Sequence, residues 1–290
     1  MKNSTSKVAR PGEFSFFAAI PALLWQALFF YIPIAFICVV SFLKRLDFAL
    51  LDNVTFAHYA QLFDPTYFKI LGRSVSLAFF NSVFCFLIAY PVAYFLVFRV
   101  KRLRNLLLFL LVLPFWANFL VLVYAWFFVL EHGGVLNSAL LTIGIISEPL
   151  RILNTPFAVY LVMLFCYLPF MIMPIYSSLE KIDKTLVESS FDLGANRWQT
   201  ISRVVMPLSS TGIRTGFFLV FIPSFGEFVV PMLLGGGKQM FAGSLISFLF
   251  LETKSMFWGA AFTCMSAVVL IASVLVLNVL LKNIFGRDRV

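Results

Sequence analysis

A carboxylate set in apolar sequence is the first feature that points to chemistry. Glu227 stands in the run I-P-S-F-G-E-F-V-V-P, with Pro223 and Pro231 on either side and Gly226 directly before it. A charge of this kind at the bilayer centre costs about 2.5–3.5 kcal/mol, so its presence needs a reason. The prolines predict a broken helix, and carbonyls freed beside a carboxylate suit a cation. A plainer reading fits as well, in which Glu227 reaches the membrane interface or pairs with a cation such as Lys238. Phe225 and Phe228 flank Glu227 and can line a passage. Trp116, Tyr124 and Trp126 form a second aromatic group, able to stack on an ammonium or to pack as an interfacial belt. With 37 phenylalanines in the chain, no cluster of them is diagnostic by itself.

Other chemistries find little support. Cys38, Cys85, Cys166 and Cys264 are scattered singly in apolar runs, and His58 and His132 are isolated, so no metal site is expected. Gly235-Gly236-Gly237 lacks the Lys-Ser/Thr and the strand–helix setting of a phosphate-binding loop, so no ATP site is expected in this chain. No nucleophile–base arrangement stands out, and the chain is not expected to be an enzyme.

The elements that must position these residues are membrane spans. At 61% hydrophobic and 12% charged, the 290-residue chain departs from a water-soluble globule, which is nearer half apolar and a quarter charged. Six apolar segments reach the roughly 20 residues a bilayer crossing needs: about 14–43, 72–98, 103–130, 156–176, 208–234 and 258–285. Lipid leaves backbone groups no partner but one another, so the spans should be helices, in one membrane domain over 14–285 with tails at 1–13 and 286–290. The first run is too long for a signal-peptide core, so it reads as a retained span. Lys2, Lys7 and Arg10, then Arg99, Lys101, Arg102 and Arg104, then Lys282, Arg287 and Arg289 fall on one side of the zigzag. By the positive-inside rule both termini are cytoplasmic, although Lys44, Arg45, Lys69 and Arg73 lie on the opposite side. Counted along span five from Leu208, Glu227 lies roughly 28 Å on, near the external end.

One polar interval, 180–207, separates spans four and five on the same side as the tails. Thr185 with Glu188 reads as a capping box, Gly194 as a left-handed helix stop, and Asn196 with Gln199 as a second start that Pro207 closes. Trp198, Ile201 and Val205 share one face of the second helix. Two short amphipathic helices hinged at Gly194 can dock into a partner's groove or lie on the membrane surface. A DNA-reading helix-turn-helix is excluded, because Glu180, Asp183, Glu188 and Asp192 cancel Lys181, Lys184, Arg197 and Arg203, and no nucleic-acid partner is expected. Gly212 and Gly216, at the start of span five, form a small-x-x-x-small pair for close helix packing.

The interval resembles the cytoplasmic loop of ABC-importer permeases, whose pattern is E-A-A, three residues, Gly, nine residues, I-x-L-P. Glu188-Ser189-Ser190, Gly194 and Val204-Val205-Met206-Pro207 match at that spacing. Leu113-Pro114-Phe115-Trp116, Tyr124-Ala125-Trp126, Leu168-Pro169-Phe170-Met171, Pro174–Leu179 and the stretch from Ile222 through Glu227 to Gly236 are similar to permeases of bacterial spermidine/putrescine importers. Leu122, where relatives often have Arg, and Ser255-Met256-Phe257, where they have D-W-P, depart from them.

The resemblance implies an all-α, six-span, type I importer permease in a bacterial inner membrane, working by alternating access. Glu188, Ser189, Ser190, Asp192, Gly194, Ala195, Arg197, Trp198 and Pro207 would form the coupling helices that dock an ATPase. It further implies two ATPase subunits that bind ATP and Mg, a second homologous permease, a periplasmic solute-binding protein, and surrounding membrane lipid. Polyamine is the expected solute, moved past Glu227, Phe225, Phe228, Trp116, Tyr124 and Trp126. Another solute (ferric iron, an anion, an opine), or an autonomous channel or secondary carrier, are the alternatives.

Overall fold

A computed structural model describes residues 13–44, 54–100, 102–237 and 239–285. Lys2, Lys7, Arg10, Arg45, Lys101, Lys238, Arg287 and Arg289, and with them nearly all of the two expected tails, lie outside the described residues. Helices dominate the described residues, and the isolated β-bridge they contain pairs Leu43 with Val54 across the first loop.

Span one runs from Glu13 to Val40 with a π turn at Ala27–Tyr31. Pro33 follows that turn and has no N–H to return to the carbonyl four residues back, which is where a widened turn relieves the ladder. Span two, Pro65–Phe98, begins seven residues before the expected start at 72. Asp64 caps it, accepting from the Thr66 N–H at 2.8 Å, and Pro65 occupies the first turn, where a missing N–H costs nothing. Its 34 residues span about 51 Å, well beyond the ~30 Å hydrocarbon thickness.

Span three differs from the continuous helix expected over 103–130. A helix at Arg104–Val112 tightens into a 3-10 turn at Leu113–Trp116, stops, and restarts as Phe119–Leu130. Pro114 cannot continue the α ladder, and the Asn118 side chain accepts from the Leu120 N–H at 2.9 Å to start the new helix. Span four, Pro156–Glu180, is capped by Thr155 and continues four residues past the expected end at 176. Span five, Ser210–Gly226, meets the helix before it at 71° and is followed after a break by Val229–Leu234. Span six is unbroken over Met256–Phe285.

Spans two, four and five form the packed centre. Gly212 lies so close to span four that a side chain there would overlap the Pro174 carbonyl and the Ser178 side chain. One turn on, a Cβ at Gly216 would meet Met171 Sδ at 2.7 Å. The small-residue pair is therefore a helix–helix seam, the arrangement that lets backbones approach in lipid. Asn81 and Ser224, both fully buried, link spans two and five through an Nδ2–H···Oγ bond of 2.8 Å. Span one is peripheral: only 6% of its apolar window is buried, against 56% for span four.

Candidate functional site

The interval between spans four and five folds into two helices with a sharp turn, hereafter the elbow. The first helix, Lys184–Asp192, is capped by Asp183, whose carboxyl accepts from the Thr185 N–H at 3.0 Å. This corrects the expected capping box of Thr185 and Glu188. The helix begins one residue before Thr185, so Asp183 sits where the open backbone donors are, and Thr185 is already inside the first turn. Bonds from the Thr185 backbone and side chain hold the Asp183 carboxyl below the usual aspartate range.

Gly194 ends that helix with φ at +83°, a conformation that costs other residues about 1–2 kcal/mol. The Gly194 N–H donates to Phe191 O at 2.9 Å and the Ala195 N–H to Ser190 O at 3.0 Å, the paired bonds of a Schellman stop. Asn196 and Gln199 then exchange bonds of 2.9 Å in each direction, the expected capping box. The second helix runs Arg197–Leu208, with a π turn at Ile201–Val205 ahead of Pro207, so Pro207 lies inside its last turn and the stop falls at Ser209.

Ser190 and Thr200 are buried between the two helices, Oγ to Oγ1 at 2.9 Å, and clasp the elbow shut. Ser190 thus faces inward, whereas Glu188, Ser189, Asp192, Gly194, Arg197 and Trp198 are exposed and Ala195 half-buried. Leu193, at 89% exposure, and Phe191 add apolar surface at the tip. The root is tied down as well, since the Arg104 guanidinium pairs with Glu180 and lies 4.8 Å from the centre of the Tyr176 ring.

The second site is the break in span five. Glu227 is buried, and its carboxylate takes three protein donors. Tyr167 Oη–H of span four donates to Oε2 at 2.7 Å, while the Val229 and Val230 N–H groups donate to Oε1 at 2.9 and 3.3 Å. The carboxylate therefore satisfies the open first turn of Val229–Leu234 and fastens it to span four. A carboxylate has about four acceptor positions, so about one remains. The carbonyl of Gly226, freed by the break, is covered by Gly243, where a side chain would overlap it.

The expected pathway residues lie in different environments. Phe225 is buried at 4% exposure, Phe228 is partly exposed, and Trp116 stands 76% exposed at the break in span three, edge-on to Phe109. Tyr124 is exposed, and Trp126 packs edge-on to Phe165 at 5.1 Å. The structure instead adds Tyr167, Asn81, Ser224, Ser190 and Thr200. Asn81 carried a readable signal, a lone amide in an apolar span. Partners such as Tyr167, 60 residues from Glu227, carried none.

The helices are long and apolar enough to cross a membrane, and a braced polar elbow joins spans four and five, as expected of an importer permease. The chain belongs to the family described as the binding-protein-dependent transport system inner membrane component, whose model matches residues 85–287. Within it, the chain is 42% identical over 238 residues to the spermidine/putrescine transport system permease protein PotB of Escherichia coli (strain K12), covering 82% of this chain and 86% of that one. It is 41% identical over 239 residues to the protein of the same name from Haemophilus influenzae, covering 82% and 83%. The crystal structure of a bacterial ABC transporter that imports the acidic polysaccharide alginate shares the fold, with a TM-score of 0.73 at 19% identity over 93% of this chain and 96% of that one. The chain is thus an all-helical inner-membrane permease of a binding-protein-dependent importer.

Proposed function

We propose that this permease imports polyamines, and the observation that carries the reading is its 42% identity to PotB along more than four fifths of both chains. It works as half of a passage completed by a second homologous permease. Solute arrives on a periplasmic binding protein. ATP and Mg are bound by a pair of ATPase subunits and not by this chain, which catalyses no reaction itself. Both termini and the elbow face the cytoplasm, and Glu188, Ser189, Asp192, Leu193 and Arg197 present the surface the ATPase grips.

Alternating access follows from the joints described above. Force on the elbow passes through its Gly194 turn and Ser190–Thr200 clasp to the roots of spans four and five. Glu227 keeps the break in span five in register and offers its remaining acceptor position to an ammonium group as the path opens. One feature favours a second reading, an anionic solute. Lys69 and Arg73 line a cavity of about 490 Å³ at the end of the molecule away from the elbow, where cations would repel a polyamine.

The test is uptake of labelled spermidine and putrescine into proteoliposomes holding this chain with its second permease, ATPases and binding protein. ATP-dependent uptake is expected from the full assembly and none from this chain alone. Uptake by the isolated chain would replace the importer with a channel or carrier. Full activity on an anion, with none on polyamines, would select the second reading.

A further inference from the structure

Between span two and the second elbow helix lies an apolar cavity of about 430 Å³, which the transport mechanism leaves unused. Phe86, Tyr90 and Tyr94 line it from one stripe of span two, with Leu87, Pro91 and Phe95 beside them, and Trp198, Ile201 and Met206 close the other side. Residues four apart stack along one helix face, so the lining from Phe86 to Arg99 extends about 20 Å along the axis. One leaflet of hydrocarbon is about 15 Å deep. The slot is thus about as long as a single leaflet is deep, and it ends at Arg99, the residue that follows the last helical turn of span two.

The contents of the slot follow from its walls. A buried water needs two to four polar partners. Here the Tyr90 hydroxyl is turned toward Ser209 Oγ at 3.4 Å, and the remaining lining is almost wholly apolar. Leu87 and Phe95, at 60% and 54% exposure, form its flank on the open face of span two. Arg99 stands at the mouth with no carboxylate in ion-pair range among the described residues, where the one such pair is Arg104–Glu180. A guanidinium at an interface is suited to fork onto a phosphate, and the leaflet facing the cytoplasm is the anionic one.

We propose that this slot holds one anionic phospholipid, its acyl chain between span two and the second elbow helix and its phosphate on Arg99. The assignment rests on the cytoplasmic orientation of the elbow given above. One wall belongs to the packed centre and the other to the part that meets the ATPase, so the lipid braces the elbow, and its loss weakens the coupling of ATP hydrolysis to transport.

The test uses the assembled transporter in nanodiscs of phosphatidylcholine alone or mixed with phosphatidylglycerol, reading retained lipid by native mass spectrometry and binding-protein-stimulated ATP hydrolysis. The wild type should retain phosphatidylglycerol in preference and be stimulated by it. Arg99→Gln should lose about fivefold of that preference, the factor one basic contact near an anionic surface carries. Leu87→Trp should exclude both lipids. Arg99 is exposed and outside the packed centre, so its variant assembles even if Leu87→Trp does not. Unchanged preference in Arg99→Gln, no retained lipid in the wild type, or a photo-crosslink from position 87 to the second permease would each overturn the proposal. Labelling an Asn196→Cys variant with an impermeant thiol reagent in right-side-out and inverted vesicles, over the wild-type background, checks orientation separately. An elbow on the outer side would sink the coupling role while leaving the lipid measurement interpretable.

Discussion

Replacing Glu227 distinguishes a carboxylate that holds the fold from one that only meets solute. Glu227→Ala strips the acceptor from Tyr167 Oη–H and from the Val229 and Val230 N–H groups. Each buried donor left without a partner costs about 1–3 kcal/mol, so the loss should total about 3–5 kcal/mol once some water enters. Glu227→Gln keeps one oxygen for the two N–H groups and turns an amide toward Tyr167, whose hydroxyl can accept, so it should lose only about 1 kcal/mol. Tyr167→Phe removes a single interhelical bond, a kind that averages about 0.6 kcal/mol between membrane helices. Thermal unfolding of the purified assembly should therefore rank wild type and Tyr167→Phe highest, Glu227→Gln slightly lower, and Glu227→Ala far below. Wild-type stability in Glu227→Ala, or equal damage from Gln and Ala, would refute the structural account. If stability in Glu227→Gln holds while polyamine uptake falls, the carboxylate meets the solute as well; unchanged uptake would remove it from the pathway.

Gly194→Val must force a branched side chain through φ +83°, so uptake should collapse while ATP hydrolysis becomes independent of binding protein; coupled, normal uptake would discard the hinge. Gly212→Leu has to displace the Pro174 backbone, and overpacking of this kind costs about 1–3 kcal/mol, measurable as a lower unfolding temperature with a smaller effect from Gly212→Ala. Thr200→Val keeps shape but leaves the Ser190 hydroxyl without its cross-elbow partner, and should raise hydrogen exchange in 184–208 without altering spans two and four. The Asp183 carboxyl sits below its ordinary range in the folded protein, so its cap is fully present above the usual aspartate pKa of about 3.9 and is lost as pH falls through the lowered value. Amide protection over 184–192, corrected for intrinsic rates, should fall in that acid window for the wild type and stay level in Asp183→Asn.

The elbow was legible because its signals are local. Gly194, Asn196 and Gln199 declare a stop and a start within six residues, in a polar interval that contrasts with the spans around it. The same locality misplaced the first cap, since Asp183 and Thr185 are both competent caps and only the helix register chooses between them. Span three was misread for the opposite reason. Hydropathy runs unbroken through Pro114 and Asn118, so the restart is visible only in backbone chemistry. Burial of the aromatics was unreadable, because a lipid-facing surface is as apolar as the core and leaves no periodic contrast. Trp116 and Phe225 look alike on paper, yet one is 76% exposed and the other 4%. The bracket of prolines around Glu227 announced a break correctly, but what the carboxylate does there depended on Tyr167.

The seam at Gly212 and Gly216 has a mechanical consequence. The elbow leaves span four at Glu180 and returns to span five at Ser210, so both of its roots sit on two helices held in close contact at that end. It cannot open like scissors; a pull on its tip tilts both helices as one plank. The gap at Glu227–Phe228 lies within that plank but is pinned, because the Glu227 carboxylate ties the segment beyond it to Tyr167 of span four, so the far segment should travel with the moving body.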